Sequence, residues 1–280
     1  MQPTQQKVLQ TLQRWGENNA AVRAMILTSS RANPYAKPDH YSDYDVELYV
    51  SDKKPFMNDK WLAHFGEVMI LWPLKPMPTW NENSITRLVL FKNEMRIDFQ
   101  ILDSHSLDPK AFDNGYRVLV DKDELTKNIP EPTYTEFIIK KPTEEEYMSL
   151  VNEFFWDGTY VPKSLWRNEL CHAKYMFDSI IRFNYFQQMI EWYIGMQHDW
   201  SVSTNKFGRY FKRYLDRNTW AELESTFAGA DIEDNWKAFF NMVKLFRRLA
   251  REVASTLNYE YPEQTDRDVT GWYQKVRETK

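Results

Sequence analysis
Cysteine is nearly absent. The single Cys171 among 280 residues excludes an internal disulfide framework and gives mild support for a reducing compartment. Cys171 itself reads as a helix packing residue, not a nucleophile. Long hydrophobic runs are also missing, and the apolar stretches present are far too short to cross a bilayer. The first residues, Met1-Gln2-Pro3-Thr4-Gln5-Gln6-Lys7, lack the apolar centre of a signal peptide. The expectation is therefore a cytoplasmic protein with no membrane partner. A strongly basic run is absent too. With 36 basic against 40 acidic side chains and a net charge of −4, the chain does not have the electrostatic footprint of a general nucleic-acid binder. Carboxylates lining a cleft would suit a cationic small molecule better. No internal repeat or low-complexity segment is visible.

What is present is core material. Apolar residues make up 42% and aromatics 16%, which excludes disordered and collagen-like classes. The length allows one large domain or two ordinary ones. Val8, Leu9, Leu12 and Trp15 give Thr4 to Asn18 one apolar helical side. Val22 to Leu27 reads as a buried strand running into a turn at Ser29-Ser30. Residues 31–41, with Asn33, Pro34 and Pro38, read as a loop. Asp59 to Phe65 is expected to be helical and Glu67 to Leu71 a short strand. Pro73, Pro76 and Pro78 predict an irregular stretch after it. Thr86 to Phe91 and Arg96 to Leu102 form an expected hairpin through Lys92-Asn93-Glu94, and Tyr116 to Val120 adds a strand.

The character then changes. Ile129-Pro130-Glu131-Pro132 to Pro142 is the best linker. Thr143-Glu144-Glu145-Glu146 is a capping box, followed by the helical stripe Tyr147, Leu150, Val151, Phe154 and Phe155. Leu165 to Ile194 predicts a longer helical region without glycine. Thr219-Trp220-Ala221-Glu222 resembles a further cap, and Asp231 to Asn258 a long amphipathic helix. The expectation is an α+β chain: residues 1–135 as a mixed sheet with helices, 136–280 as an all-helical domain.

The chemistry-bearing stretch is Asp43-Tyr44-Asp45-Val46-Glu47-Leu48-Tyr49-Val50. Tyr44, Val46, Leu48 and Val50 alternate with Asp43, Asp45 and Glu47, the period of a strand with one apolar and one acidic face. Residues two apart on a strand lie on one side, about 7 Å from each other, so Asp43 and Asp45 can aim at one point. Two hard carboxylates beside an anion-binding turn suit a magnesium–nucleotide site. Ser29, Ser30 and Arg31 offer such a turn, with hydroxyls and backbone N–H groups. In the strand from Met95, Arg96, Asp98 and Gln100 share the polar face. Strands disfavour Asp, so three in two strands call for a reason.

The turn with Ser30, the Asp43-Tyr44-Asp45 strand and Arg96-Ile97-Asp98-Phe99 together resemble the nucleotidyltransferase superfamily that includes DNA polymerase β. The likeness sharpens in Asp39-x-x-x-Asp43-Tyr44-Asp45, Trp61-Leu62-x-x-Phe65-Gly66, Leu90-Phe91, Val118-Leu119-Val120-Asp121-Lys122-Asp123 and Ile139-Lys140-Lys141-Pro142-Thr143. It continues through Asn152-Glu153-Phe154, Thr159-Tyr160-Val161-x-Lys163-x-Leu165-x-Arg167-Asn168-Glu169 and Phe211-Lys212-Arg213-Tyr214-Leu215. In order, from about Leu27 to Pro262, these resemble the aminoglycoside 6-adenylyltransferases.

The resemblance implies a polymerase-β-like nucleotidyltransferase domain followed by a helical substrate-binding domain. It also implies transfer of AMP from ATP to a hydroxyl of an aminoglycoside such as streptomycin, releasing pyrophosphate with two Mg²⁺ ions. Asp43, Asp45 and Asp98 would be the metal ligands. Asp98 is the first choice as general base and Glu169 the second. Ser29, Ser30, Arg31, Lys163 and Lys206 would contact the nucleotide together with Asp43 and Asp45, and Glu47, Asp98 and Glu169 the cationic acceptor. A lincosamide nucleotidyltransferase, or a nucleotide-binding protein of this fold without turnover, is the alternative; an enzyme acting on RNA ends is a weaker third. One departure stands out: the family usually has Gly where this chain has Ser29. If the turn requires positive φ, Ser29 brings strain on the order of 1 kcal/mol or more.

Overall fold
A computed structural model of the chain describes residues 3–77 and 84–279. It divides into two compact units, Met1–Glu136 and Phe137–Lys280.

The first unit is a six-stranded sheet with one long helix. Helix α1 (Gln5–Asn18) starts where the Thr4 hydroxyl accepts from the Lys7 N–H, and buries Val8, Leu9 and Leu12. The strands are β1 (Val22–Thr28), β2 (Tyr44–Val50), β3 (Val68–Met77), β4 (Ile85–Phe91), β5 (Arg96–Asp103) and β6 (Tyr116–Asp121), in the order β3-β4-β5-β2-β1-β6. Among the described residues only the pairing of β2 with β5 is parallel; the other four are antiparallel. One face is covered by α1 and by an aromatic group in which Trp15, Phe56, Trp61, Phe65 and Phe99 meet edge-on or stacked. The opposite face carries a smaller cluster of Ala24, Ile26, Tyr49, Phe112 and Ile129. The acidic side chains of β2 lie on this second face, in step with Tyr49.

Two expectations need correction here. Asp59 to Phe65 forms only a 3₁₀ turn, Lys60–His64. The strand expected to stop near Leu71 runs on to Met77 through Pro73 and Pro76. It can do so because β3 is an edge strand, where a residue without an N–H need not sit in a ladder on both sides. Pro78 lies outside the described residues. The β4–β5 hairpin forms as expected, with Glu94 at φ 68° in its turn.

The second unit is helical: α2 (Glu144–Gly158), α3 (Tyr160–Trp166), α4 (Leu170–Lys174), a π-helix (Tyr175–Phe186), α5 (Gln187–Gln197), α6 (Phe211–Tyr214), α7 (Arg217–Glu224), α8 (Ile232–Leu257) and α9 (Glu263–Glu278). The capping box forms: Thr143 accepts from the Glu146 N–H at 3.2 Å and Glu146 accepts from the Thr143 N–H at 2.8 Å. Helix α8 is the axis of the core, with Phe246 stacked on Phe154 at 3.6 Å.

The expected helix from Leu165 to Ile194 is interrupted. Asn168 adopts φ 59° between α3 and α4, and the chain then widens into π geometry. The cap expected at Thr219 is provided instead by Asp216, which accepts from the Asn218 and Thr219 N–H groups. Cys171 is exposed, because α4 turns Ala173 inward. Among the described residues no helix is long and apolar enough to cross a membrane.

Candidate active site
The parallel pairing of β2 with β5 decides where the carboxylates meet. Asp45 and Asp98 are register partners, and partners on adjacent parallel strands project from the same face of a sheet. Asp43 lies just before β2 and reaches the same place: its carboxylate is 3.5 Å from the Arg96 guanidinium, which also grips Asp98 in a fork at 2.9 and 2.8 Å. Ser29 follows directly on β1, next to Asp45, and its side chain favours the charged form of that carboxyl.

This crowding shows in protonation. Burial first, then repulsion from Asp98 and Asp43, pushes the Asp45 carboxyl up to about 6; Ser29 and Arg96 pull the other way. Glu47 continues the acidic face. Burial raises its carboxyl as well, against a 2.7 Å hydrogen bond donated by the Tyr49 hydroxyl.

The turn after β1 is a single 3₁₀ turn, Ser29–Arg31, with Ser29 at φ 58°. The conformation that glycine adopts freely is therefore imposed on a serine. Arg31 acts as a strap. Its three nitrogens donate to the carbonyls of Asp39, Ser42 and Asp43 and to Gln5, and its plane lies 4.0 Å over the Tyr44 ring. It thereby fixes the loop that delivers Asp43.

The remaining expected site residues belong to the helical unit. Lys163 lies in α3, its ammonium 4.3 Å over the Tyr160 ring. Glu169 is exposed and stands at the start of α4. Its neighbour Lys174 pairs with Asp178 at 2.5 Å. Lys206 opens a tight turn, 5.8 Å over the Phe137 ring. The sheet thus gathers Ser29, Asp43, Asp45, Glu47 and Asp98, with Ser30 and Arg31 in the adjoining turn. Arg96 is the site residue to which the sequence reading gave no role. Its signal was there, since it sits two residues before Asp98 on the same strand face.

The donor set suits a hard divalent cation, being all carboxylate oxygen. As the side chains stand, Arg96 occupies both oxygens of Asp98. Among the described residues no group of three or more His, Cys, Asp or Glu side chains is arranged to hold a metal ion. A metal ion at Asp43, Asp45 and Asp98 would share Asp98 with that guanidinium or displace it.

The family model described as streptomycin adenylyltransferase matches residues 2–276. The chain belongs to the streptomycin adenylyltransferase family. It is similar to the aminoglycoside 6-adenylyltransferase of Bacillus subtilis (strain 168), at 32% identity over 88% of each chain. It is similar to that of Campylobacter jejuni at 30% identity, over 92% of this chain and 91% of the relative. A crystal structure of the Bacillus subtilis aminoglycoside 6-adenyltransferase aligns with a TM-score of 0.50 and 27% identity, over 99% of this chain and all of the other. As in that family, the chain is a nucleotidyltransferase with a mixed sheet followed by a helical region.

Proposed function
We propose that this protein transfers AMP from ATP to a hydroxyl of an aminoglycoside, with streptomycin as the first acceptor to test, and releases pyrophosphate. The observation that carries this reading is the in-register placement of Asp45 and Asp98, with Asp43 alongside, at the end of the β1 turn. The activity for which the family and its relatives are named supports it. The sheet-bearing unit, residues 1–135 in the sequence division, would carry the transfer chemistry; the helical unit, 136–280, would hold acceptor and nucleotide groups.

On this reading Asp43, Asp45 and Asp98 hold Mg²⁺, which when bound neutralises phosphate charge and acidifies the acceptor hydroxyl. Asp98 accepts the proton of that hydroxyl as it attacks the α-phosphorus, and Glu169 is the second choice for the role. Ser29 and Ser30 offer hydroxyl and N–H groups to the phosphates. Arg31 serves the nucleotide by keeping Asp43 in place. Lys163 and Lys206 act as point charges on phosphate oxygens. Glu47, Asp98 and Glu169 supply the negative charge that a cationic acceptor needs.

The test is mass analysis of products after incubation with ATP, Mg²⁺ and a panel of aminoglycosides and lincosamides. An AMP-bearing streptomycin is expected. AMP on another acceptor would keep the reaction and discard the substrate. Asp43→Asn and Asp45→Asn are each expected to abolish transfer with the circular dichroism spectrum unchanged; near-normal turnover in either contradicts the assignment. One observation favours a second reading, nucleotide binding without turnover: Ser29 carries a Cβ at φ 58° where the family's glycine would bend freely. Binding of ATP without product for any acceptor, in wild type and Ser29→Gly alike, would select it.

A further inference from the structure
Several cations of the helical unit are paired with carboxylates, among them Lys174, Arg182, Arg247 and Arg248. The cleft of about 750 Å³ between α8 and α9 is an example. There Arg247 pairs with Asp266, Arg251 with Glu263 and Arg277 with Glu233. One segment gathers several cations without a carboxylate. Between Asp199 and Asp216 the sequence has no acidic residue, yet it carries Lys206, Arg209, Lys212 and Arg213. All four are exposed. No ion pair among the described residues includes them. Three lie over aromatic rings instead: Lys206 over Phe137 at 5.8 Å, Lys212 over Trp220 at 5.3 Å and Arg213 over Tyr214 at 5.5 Å.

The backbone of the same segment is strained. Asn205 has φ 58° with ψ 175°, Phe207 has φ 57° with ψ 35°, and Gly208 has φ 70°. A phenylalanine in the left-handed region is unfavourable, because its Cβ crowds the following carbonyl. Burial of the ring would offset this, but Phe207 is 75% exposed, and its aromatic neighbour Phe183, edge-on to it, is itself 48% exposed. Folding gains little from a strained residue that holds an apolar ring in water. Strain of this kind is retained where it presents a group to a ligand.

We propose that Lys206–Arg213 is the nucleotide seat of the helical unit: the base stacks on Phe207, and Lys206 and Arg209 hold the phosphates. This rests on the nucleotidyltransferase reading and adds to it the residue that receives the base. The chemistry selects the ligand. Four exposed cations repel an aminoglycoside, which is itself a polycation, and attract a polyanion. The exposed ring requires that polyanion to bring a flat π-face. The positive segment is short in a chain of net charge −4, which suits a mononucleotide and not a nucleic-acid strand. Stacking accepts every base, so this seat treats adenine and guanine alike.

The experiment is calorimetry on the full chain with Mg²⁺ and three probes: ATP, GTP and inorganic tripolyphosphate. Phe207→Ala is expected to bind ATP and GTP roughly tenfold more weakly while tripolyphosphate binding is unchanged. Phe207→Trp restores both nucleotides, and Arg209→Gln weakens all three probes. Phe207→Gly also loses nucleotide affinity but keeps or raises the melting temperature, since glycine relieves the φ. That separates loss of the seat from loss of the fold. Unchanged ATP affinity in Phe207→Ala overturns the proposal, as does a loss confined to streptomycin. So does RNA retained by wild type, but not by Phe207→Ala, at a salt concentration where mononucleotides no longer bind. If wild type binds ATP through this segment but adenylates no acceptor, the seat stands and the transfer reading falls. If transfer occurs and Phe207→Ala binds normally, the reverse holds.

Discussion

At φ 58° Ser29 occupies backbone space that suits glycine, and its side chain favours the charged form of Asp45. These two facts oppose each other. Ser29→Gly removes a left-handed Cβ and is expected to raise unfolding free energy by about 1 kcal/mol in urea titration. It also removes one of the two groups that stabilise the charged Asp45. Asp45 makes a second prediction. Its carboxyl is raised from 3.8 to about 6, so between those values the folded chain holds a proton that the unfolded chain has lost. The stability this brings is full below about pH 4 and disappears as pH rises through 6. Asp45→Asn, which does not titrate, is expected to flatten that part of the stability–pH curve and to be more stable than wild type at pH 7. Urea denaturation across pH 4–7 checks both statements. Arg96 offsets part of what the ionised Asp45 costs the fold.

Elements hold these residues through register and caps, and each has its own weak point. Helix α9 is the least apolar of the long helices; among its residues only Asp266 and Tyr273 are buried. Asp266 is 1% exposed, held by the Arg247 fork at 2.5 and 2.6 Å and by the Tyr261 hydroxyl at 2.8 Å. Burial alone would raise its carboxyl, yet these partners hold it below the usual carboxylate range. Arg247→Ala leaves that charge buried and without its main partner, and is expected to cost about 3–5 kcal/mol in chemical denaturation. Tyr273 docks the same helix, donating to the Phe155 carbonyl at 2.6 Å against Gly158. A Cβ at Gly158 would collide with the Tyr273 hydroxyl, so Gly158→Ala should lower the melting temperature while leaving the sheet-bearing unit's signals unchanged.

For the whole molecule, the two units differ in how they treat charge. The sheet-bearing unit concentrates carboxylates around the face shared by β2 and β5, while the helical unit keeps a basic segment at Lys206–Arg213 without a carboxylate ion pair among the described residues. On the proposed function, an anionic nucleotide and a polycationic acceptor call for charges of opposite sign. Ionic strength is therefore expected to weaken both ligands, so raising salt from 50 to 200 mM should lower apparent affinity for ATP and for the acceptor. Product formation with the acceptor panel remains the measurement that fixes the substrate.

Local rules sufficed wherever a residue's fate depends on its neighbours in the chain. The alternation from Tyr44 to Val50, the capping box at Thr143 and the stripe of α8 were all legible, because period and caps are local properties. Their carboxylate pattern, with the motif likeness, also pointed to a nucleotidyltransferase. Helix α9 escaped because its docking rests on a buried ion pair and one tyrosine, which leave no apolar period in sequence. The length of β3 escaped because prolines are tolerated only where a strand has an open edge, and edge position is a property of the sheet. Tertiary structure alone decided that β2 and β5 run parallel, bringing Asp45 opposite Asp98, and that Arg96 bridges Asp98 and Asp43. Strand order and register bring together residues more than fifty positions apart, and pairing at that separation leaves no trace in the local pattern of either strand.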